Sequence, residues 1–242
     1  MPGPPPRRAT LRWGLGDAVL AFVLAIVGAI VVTQIVIGVT GTQRLSDGSY
    51  PETAAIIGAT VAGQYGAWFL WMLLVSKRKG IGTLRADFGF VVDVAHDWSM
   101  IAIGFGFEIA AGIVLFPITN LLKKTPQQVV HDLDTAHGAK LVILVVTALV
   151  VAPVVEELFF RGLLLRALQR RVSAPIAVAI AALAFGLTHV LFDFGSGAVM
   201  PALVALGLVS GYFAVRTGNL SRSILLHAGF NLVAVLAVLT NH

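Results

Sequence analysis

Glu156 and Glu157 are adjacent, and Arg161 follows four positions on, in the run Val154-Val155-Glu156-Glu157-Leu158-Phe159-Phe160-Arg161. Further along, His189 closes Phe185-Gly186-Leu187-Thr188-His189, and His227 and Asn231 stand four apart. One carboxylate, two imidazoles and an amide that met in a water-accessible pocket could hydrolyse an amide bond in two ways. In the first, Glu156, His189 and His227 hold Zn²⁺ and leave a position for water. The metal then polarises the carbonyl and acidifies that water. In the second no metal is used. Glu156 takes a proton from a water that His189 also holds, and His227 and Asn231 donate to the developing oxyanion. Glu157 and Arg161, at i and i+4, are placed to pair. Their pairing lowers the cost of burial and fixes the helix rotation that aims Glu156. The competing reading is a buried ion-pair network that only holds helices together, with His189, His227 and Asn231 as interhelical hydrogen-bonding groups.

These residues must be positioned by membrane-spanning helices. The chain has 242 residues, 57% hydrophobic and only 12% charged, against about 25% charged in soluble domains. Cysteine is absent, which excludes disulfides and thiolate metal or redox sites. The net charge of +5 calls for no nucleic acid partner, because an excess of Lys and Arg is what cytoplasmic loops of membrane proteins carry. A charged side chain at membrane depth costs roughly 2.5–3.5 kcal/mol, so Glu156, Glu157 and Arg161 are placed at considerable cost.

The expected fold class is all-α: a polytopic helix bundle of about seven spans near residues 18–39, 53–76, 99–122, 141–165, 177–195, 198–215 and 222–240. Residues 1–11, rich in proline, read as a disordered cytoplasmic tail, and 12–242 as one membrane domain with its catalytic core near 140–240. The first apolar run is too long for a signal peptide and lacks a cleavage site. With the N-terminus inside, the inner side holds Arg7, Arg8, Arg12, Lys77, Arg78, Lys79, Arg85, Arg166, Arg170, Arg171, Arg216 and Arg222. The outer side holds Arg44, Lys123, Lys124 and Lys140. That asymmetry predicts N-in, C-out.

Hairpin arithmetic brings the polar groups level. Lys140 to Arg171 is about 48 Å long if helical, with a kink expected at Pro153. The turn falls near Arg171–Ala174, and Pro175 suits the next helix start. Glu156 lies about 16 residues before the turn centre and His189 about 16 after it, so both sit at one depth at 1.5 Å per residue. His227 and Asn231 reach the same layer from the start of the last span.

Glu156-Glu157-xxx-Arg161, Phe185-xxx-His189 and His227-xxx-Asn231 resemble the three ordered motifs of the CAAX-protease and bacteriocin-processing family of intramembrane proteases, also called abortive-infection-like, which includes the type II CAAX prenyl endopeptidases. The resemblance covers about residues 140–240. It implies an α-helical intramembrane endopeptidase whose cavity opens to the cytoplasm, with Glu156 as the water-activating glutamate and His189 its partner. It also implies His227 and Asn231 as oxyanion donors, and Glu157 and Arg161 as support. Family members are named as metalloproteases, and a metal-free mechanism is also argued for them. The implied substrate is a membrane-bound protein or a lipidated peptide, a prenylated CAAX segment among the options. The other partners are membrane lipids. The expected location is a bacterial plasma membrane.

The alternative from another class is a non-catalytic immunity or scaffold protein on the same fold. A transporter would require repeat symmetry between halves, and none is read. Of the remaining polar groups, Glu108 is expected either to pair with Gln34 or Gln64 or to line the cavity. His131, Asp132, Asp134 and His137 read as a solvated loop, and Asp193 as interfacial. Phe185 is expected to pack beside the site. Gly104, Gly106, Gly207, Gly211 and Gly229 are expected to permit close helix packing.

Overall fold

With no water in the bilayer core, backbone polar groups must be satisfied within their own segment. The chain meets this requirement with helices, and no strand occurs among the described residues. The computed structural model describes residues 11–121, 136–192 and 199–240. The long helices are α1 (Leu15–Thr40), α2 (Ala54–Lys79) and, after two short turns α3 (Leu84–Phe88) and α4 (Val94–Asp97), α5 (Ser99–Leu121). A continuous helical run, α6 (Gly138–Leu168), follows. It is succeeded by α7 (Ala174–Phe192), α8 (Met200–Thr217) and α9 (Ser221–Leu239). Six of these helices are long and apolar enough to cross a membrane, and the apolar part of α9, Ser221–Ala237, is shorter. The expected all-α polytopic bundle is thus observed, with its seven apolar segments each forming a helix. The turn into α7 lies where expected, with Pro175 in the first turn of the helix. The expected tail, apart from Leu11, lies outside the described residues, as do Lys123, Lys124, His131, Asp132, Asp134 and Asp193.

Lipid tails are as apolar as leucine, so helix association rests on close packing rather than on escape from water. Glycine supplies the approach. A Cβ on Gly28 or Gly63 would strike the facing backbone across α1 and α2, and one on Gly104 or Gly229 would do so across α5 and α9. A Cβ on Gly207 would stand 2.9 Å from Ala182 of α7. A Cβ on Gly106 would meet nothing within 4 Å among the described residues.

One end of the bundle is tied by polar contacts between segments far apart in sequence. Lys79 of α2 pairs with Asp17 of α1 at 2.6 Å, and Arg12 N–H donates to the Lys79 carbonyl at 2.8 Å. The Arg170 guanidinium lies 4.0 Å over the Trp13 ring. Arg166 Nη2 donates to the Gly218 carbonyl at 2.7 Å, Leu220 N–H to the Gly89 carbonyl at 3.0 Å, and Arg222 Nε to Asp97 at 2.9 Å. Asp87 is the hub of this end. Its carboxylate accepts from Ser76 Oγ at 2.6 Å, Ile81 N–H at 2.7 Å and Gly82 N–H at 3.0 Å. Burial opposes its ionisation, but these donors outweigh burial and hold its pKa below the ordinary 3.8. The start of α1, the end of α2, the end of α6 and the start of α9 are thereby gathered at one level.

Candidate active site

The site is built on an irregular stretch of α6. Thr147–Val151 and Leu158–Leu164 are π-helical, and the α-helical turn Ala152–Glu157 lies between them. Pro153 accounts for the first irregularity, though not as the simple kink expected. In the wider register Ala152 N–H donates to the Thr147 carbonyl, so the Ala148 carbonyl loses its α-helical donor. Its donor in the π register would be the N–H of residue 153, which proline lacks. Asn231 of α9 fills the gap, donating Nδ2 to the Ala148 carbonyl at 2.8 Å. Asn231 therefore ties α9 to α6 just ahead of the glutamates.

Successive helical residues diverge by about 100°, and this separates the two glutamates. Glu156 faces α2 and α7. Its Oε1 accepts from the Tyr65 hydroxyl at 2.8 Å. Its Oε2 is buried with no hydrogen-bond partner among the described residues and lies 3.8 Å from His189 Nε2. His189 Nδ1 is 2.9 Å from the Phe185 carbonyl. A carbonyl can only accept, so Nδ1 carries the proton and a neutral His189 presents the Nε2 lone pair to Glu156. At 3.8 Å the pair is too long for a direct hydrogen bond.

Glu157 faces α9. It is fully buried, and its Oε1 accepts from both Arg161 Nη1 at 2.9 Å and His227 Nδ1 at 3.1 Å. The expected Glu157–Arg161 pair is present, and the same carboxylate also orients His227. With Nδ1–H given to Glu157, His227 keeps Nε2 for other contacts. Arg161 Nη2 reaches the Gly207 carbonyl at 3.3 Å, so the close α7–α8 packing at Gly207 also brings an acceptor to the guanidinium. Phe185 is the common surface of the site. Its ring lies 4.6 Å beneath Arg161, 4.7 Å from His189 and 5.5 Å edge-on from His227. Phe160 packs edge-to-face on Phe185 at 5.2 Å, and Trp68 of α2 stacks on Phe159 at 4.6 Å. Such ring pairs add about 0.5–1.5 kcal/mol beyond their area. They fix the rotation of α6 against α2 and α7.

Glu156, His189, His227 and Asn231 all line one cavity of about 440 Å³, together with Tyr65 and Glu108. The layer expected from hairpin arithmetic is therefore assembled. Among the described residues, no group of three or more His, Asp or Glu is placed to hold a metal ion. The zinc set of Glu156, His189 and His227 therefore does not form such a group. Glu108 lines the cavity and is paired with neither Gln34 nor Gln64. His137 immediately precedes the first turn of α6. Tyr65 escaped the sequence reading. It belongs to no motif and lies 91 positions from the glutamate it contacts, and its only signal is a hydroxyl among apolar residues of a span.

Residues 138–233 match the family model described as type II CAAX prenyl endopeptidase Rce1-like. All seven motif residues fall within this segment, whereas Tyr65 and Glu108 precede it. Among curated proteins, an uncharacterized protein of Bacillus subtilis (strain 168), YyaK, is 27% identical over 156 residues, covering 62% of this chain and 52% of the relative. The chain thus spans about half the length of the curated relative it matches. No solved structure matches the chain. The resemblance carried by the three motifs is borne out by the family match, and the apolar helices make the chain an integral, multi-pass membrane protein.

Proposed function

We propose that this chain, whose residues 138–233 match the type II CAAX prenyl endopeptidase Rce1-like family model, cleaves peptide bonds of membrane-associated substrates with Glu156 as the base that activates water. The observation that carries this reading is the buried, unpartnered Oε2 of Glu156 opposite His189 Nε2 at 3.8 Å in the shared cavity. A water donating one hydrogen to each acceptor satisfies both and turns a lone pair toward a carbonyl carbon. Attack forms the C–O bond as the water's proton passes to Glu156. Negative charge gathers on the former carbonyl oxygen. Asn231 has a second amide hydrogen for it, and His227 supplies Nε2–H when protonated, its Nδ1–H being held by Glu157. Glu156 then returns the proton to the departing nitrogen as the C–N bond breaks. Tyr65 clamps Oε1 and so keeps Oε2 directed at the water.

The substrate class is a membrane protein or a lipid-anchored peptide, the prenylated CAAX segment included. The end of the bundle bearing Lys77, Arg78, Lys79, Arg85, Arg166, Arg170, Arg171, Arg216 and Arg222 is assigned to the cytoplasm by the positive-inside rule. That assignment places the site in the cytoplasmic half of what we take to be a bacterial plasma membrane. The mechanism uses no metal, in line with the ungathered ligand set.

The test is cleavage of membrane-anchored and prenylated peptides by the protein reconstituted in vesicles, read by mass spectrometry with and without a chelator. Cleavage that survives chelation supports the reading. Cleavage abolished by the chelator and restored by Zn²⁺ contradicts the metal-free step. A folded protein that cuts none of these peptides is instead a non-catalytic member of the fold, as an immunity or scaffold protein would be.

A further inference from the structure

Glu108 is a half-buried acid that this chemistry leaves unused. It lies on α5, outside the segment that matches the family model, yet it lines the same cavity as Glu156, His189, His227 and Asn231. Its Oε2 is buried without a hydrogen-bond partner, and no residue forms an ion pair with it among the described residues. A carboxylate at membrane depth is costly unless a donor or cation meets it.

The packing of α5 holds Glu108 in place. Gly104 stands one turn before it, on the same helical face, and meets the backbone of α9 at Leu226 so closely that a Cβ would not fit. Gly229, between His227 and Asn231, makes the reciprocal contact with Ile101. The two glycines therefore bring Glu108 against the part of α9 that carries His227 and Asn231.

The cavity itself supplies no cation for it. No Lys or Arg lines the cavity, and Arg161 is committed to Glu157 and the Gly207 carbonyl. Glu108 and Glu156 make the lining acidic. A charge-assisted hydrogen bond from outside the chain is the strongest way to satisfy such a carboxylate.

We propose that Glu108 is a specificity-determining residue that receives a Lys or Arg side chain of the substrate near the scissile bond. This rests on the peptidase reading only in naming the guest as a substrate. The pairing itself can be measured without turnover.

The experiment uses the full chain in lipid nanodiscs and a series of membrane-anchored peptides carrying Lys, Ala or Glu at successive positions. Binding is read by fluorescence anisotropy in the Glu156→Gln background, and cleavage is read in the otherwise native chain. At one position, Lys should improve both binding and kcat/KM over Ala by about tenfold, equivalent to about 1.4 kcal/mol, with Glu the poorest. Glu108→Gln, close to isosteric, should reduce the Lys-to-Ala ratio to near one. Lys-dependent binding without any cleavage would retain the Glu108 assignment and sink the protease reading. Absence of Lys-dependent binding, whether all peptides bind alike or none binds, overturns the proposal. So does a Lys preference that survives in Glu108→Gln.

Discussion

Glu157 Oε1 serves two donors on different elements, Arg161 of its own helix and His227 of α9. The three side chains are almost completely buried, so each depends on the others for its charge or proton. Truncating one member of such a set leaves the rest uncompensated and typically costs about 3–5 kcal/mol. Arg161→Ala should therefore lower thermal stability in detergent markedly, whereas a surface change such as Arg78→Ala should not. Tyr65 has a different place, because among the described residues its hydroxyl bonds to Glu156, the proposed base, and to no other side chain. Tyr65→Phe should keep the fold and lower kcat about tenfold, equivalent to about 1.4 kcal/mol of barrier, with KM little changed. An unaltered kcat would show that Glu156 needs no clamp. The six polar motif residues were legible in the sequence because charged, imidazole and amide groups stand out in an apolar span. The Tyr65 contact was not, since a hydroxyl carries no charge to mark it and its partner is 91 positions distant. The partner of His227 was also not legible. Depth arithmetic puts both glutamates within reach, and only the helical rotation of α6 decides between them.

At the scale of the element, α6 departs from α-helical geometry on both sides of the glutamates, as helices often do at functional sites. The hydrophobic pattern could not reveal this, because an apolar run reads the same in either register. Only Pro153 hinted at it, and it suggested a kink rather than a change of register. The account of Asn231 as the donor that proline lacks makes a specific demand. Asn231→Ala leaves the Ala148 carbonyl unsatisfied and should cost about 1–3 kcal/mol. Pro153→Ala restores a backbone N–H that can serve that carbonyl. In the double variant the loss from Asn231→Ala should shrink, giving a coupling energy of about 0.5–3 kcal/mol in a double-mutant cycle read by thermal unfolding. Strict additivity would remove the link between the two residues. The close contacts at Gly104, Gly207 and Gly229 belong to the same scale. They were foreseeable as small residues in spans, although a Cβ on Gly106, also a glycine in a span, would meet none of the described residues.

For the whole molecule, the polar ties at one end hold the start of α1, the end of α2, the end of α6 and the start of α9 in one arrangement, and three of these helices, α2, α6 and α9, line the cavity together with α5, α7 and α8. Asp87 links α3 to the end of α2, and Arg166 links α6 to the turn after α8. The Asp87 pKa is depressed in the folded chain. Its contribution is therefore fully present above the unfolded value near 3.8 and is lost as pH falls through the lower folded value. Detergent-solubilised protein should lose melting temperature on that acid limb. Asp87→Ala, which strips Ser76 and two backbone N–H groups of their acceptor, should melt lower near neutral pH and show a shallower acid limb. An unchanged limb would remove Asp87 from the account.

All of these ties converge on one claim, that Glu156 activates the water that cuts the substrate. The most direct measurement is the single-turnover rate of a membrane-anchored peptide with native protein and with Glu156→Gln, each reconstituted in vesicles and matched for melting temperature. Loss of a general base lowers such rates by about 10²–10⁴-fold, and the account predicts a fall in that range with peptide binding retained. Cleavage by Glu156→Gln at close to the native rate would contradict it.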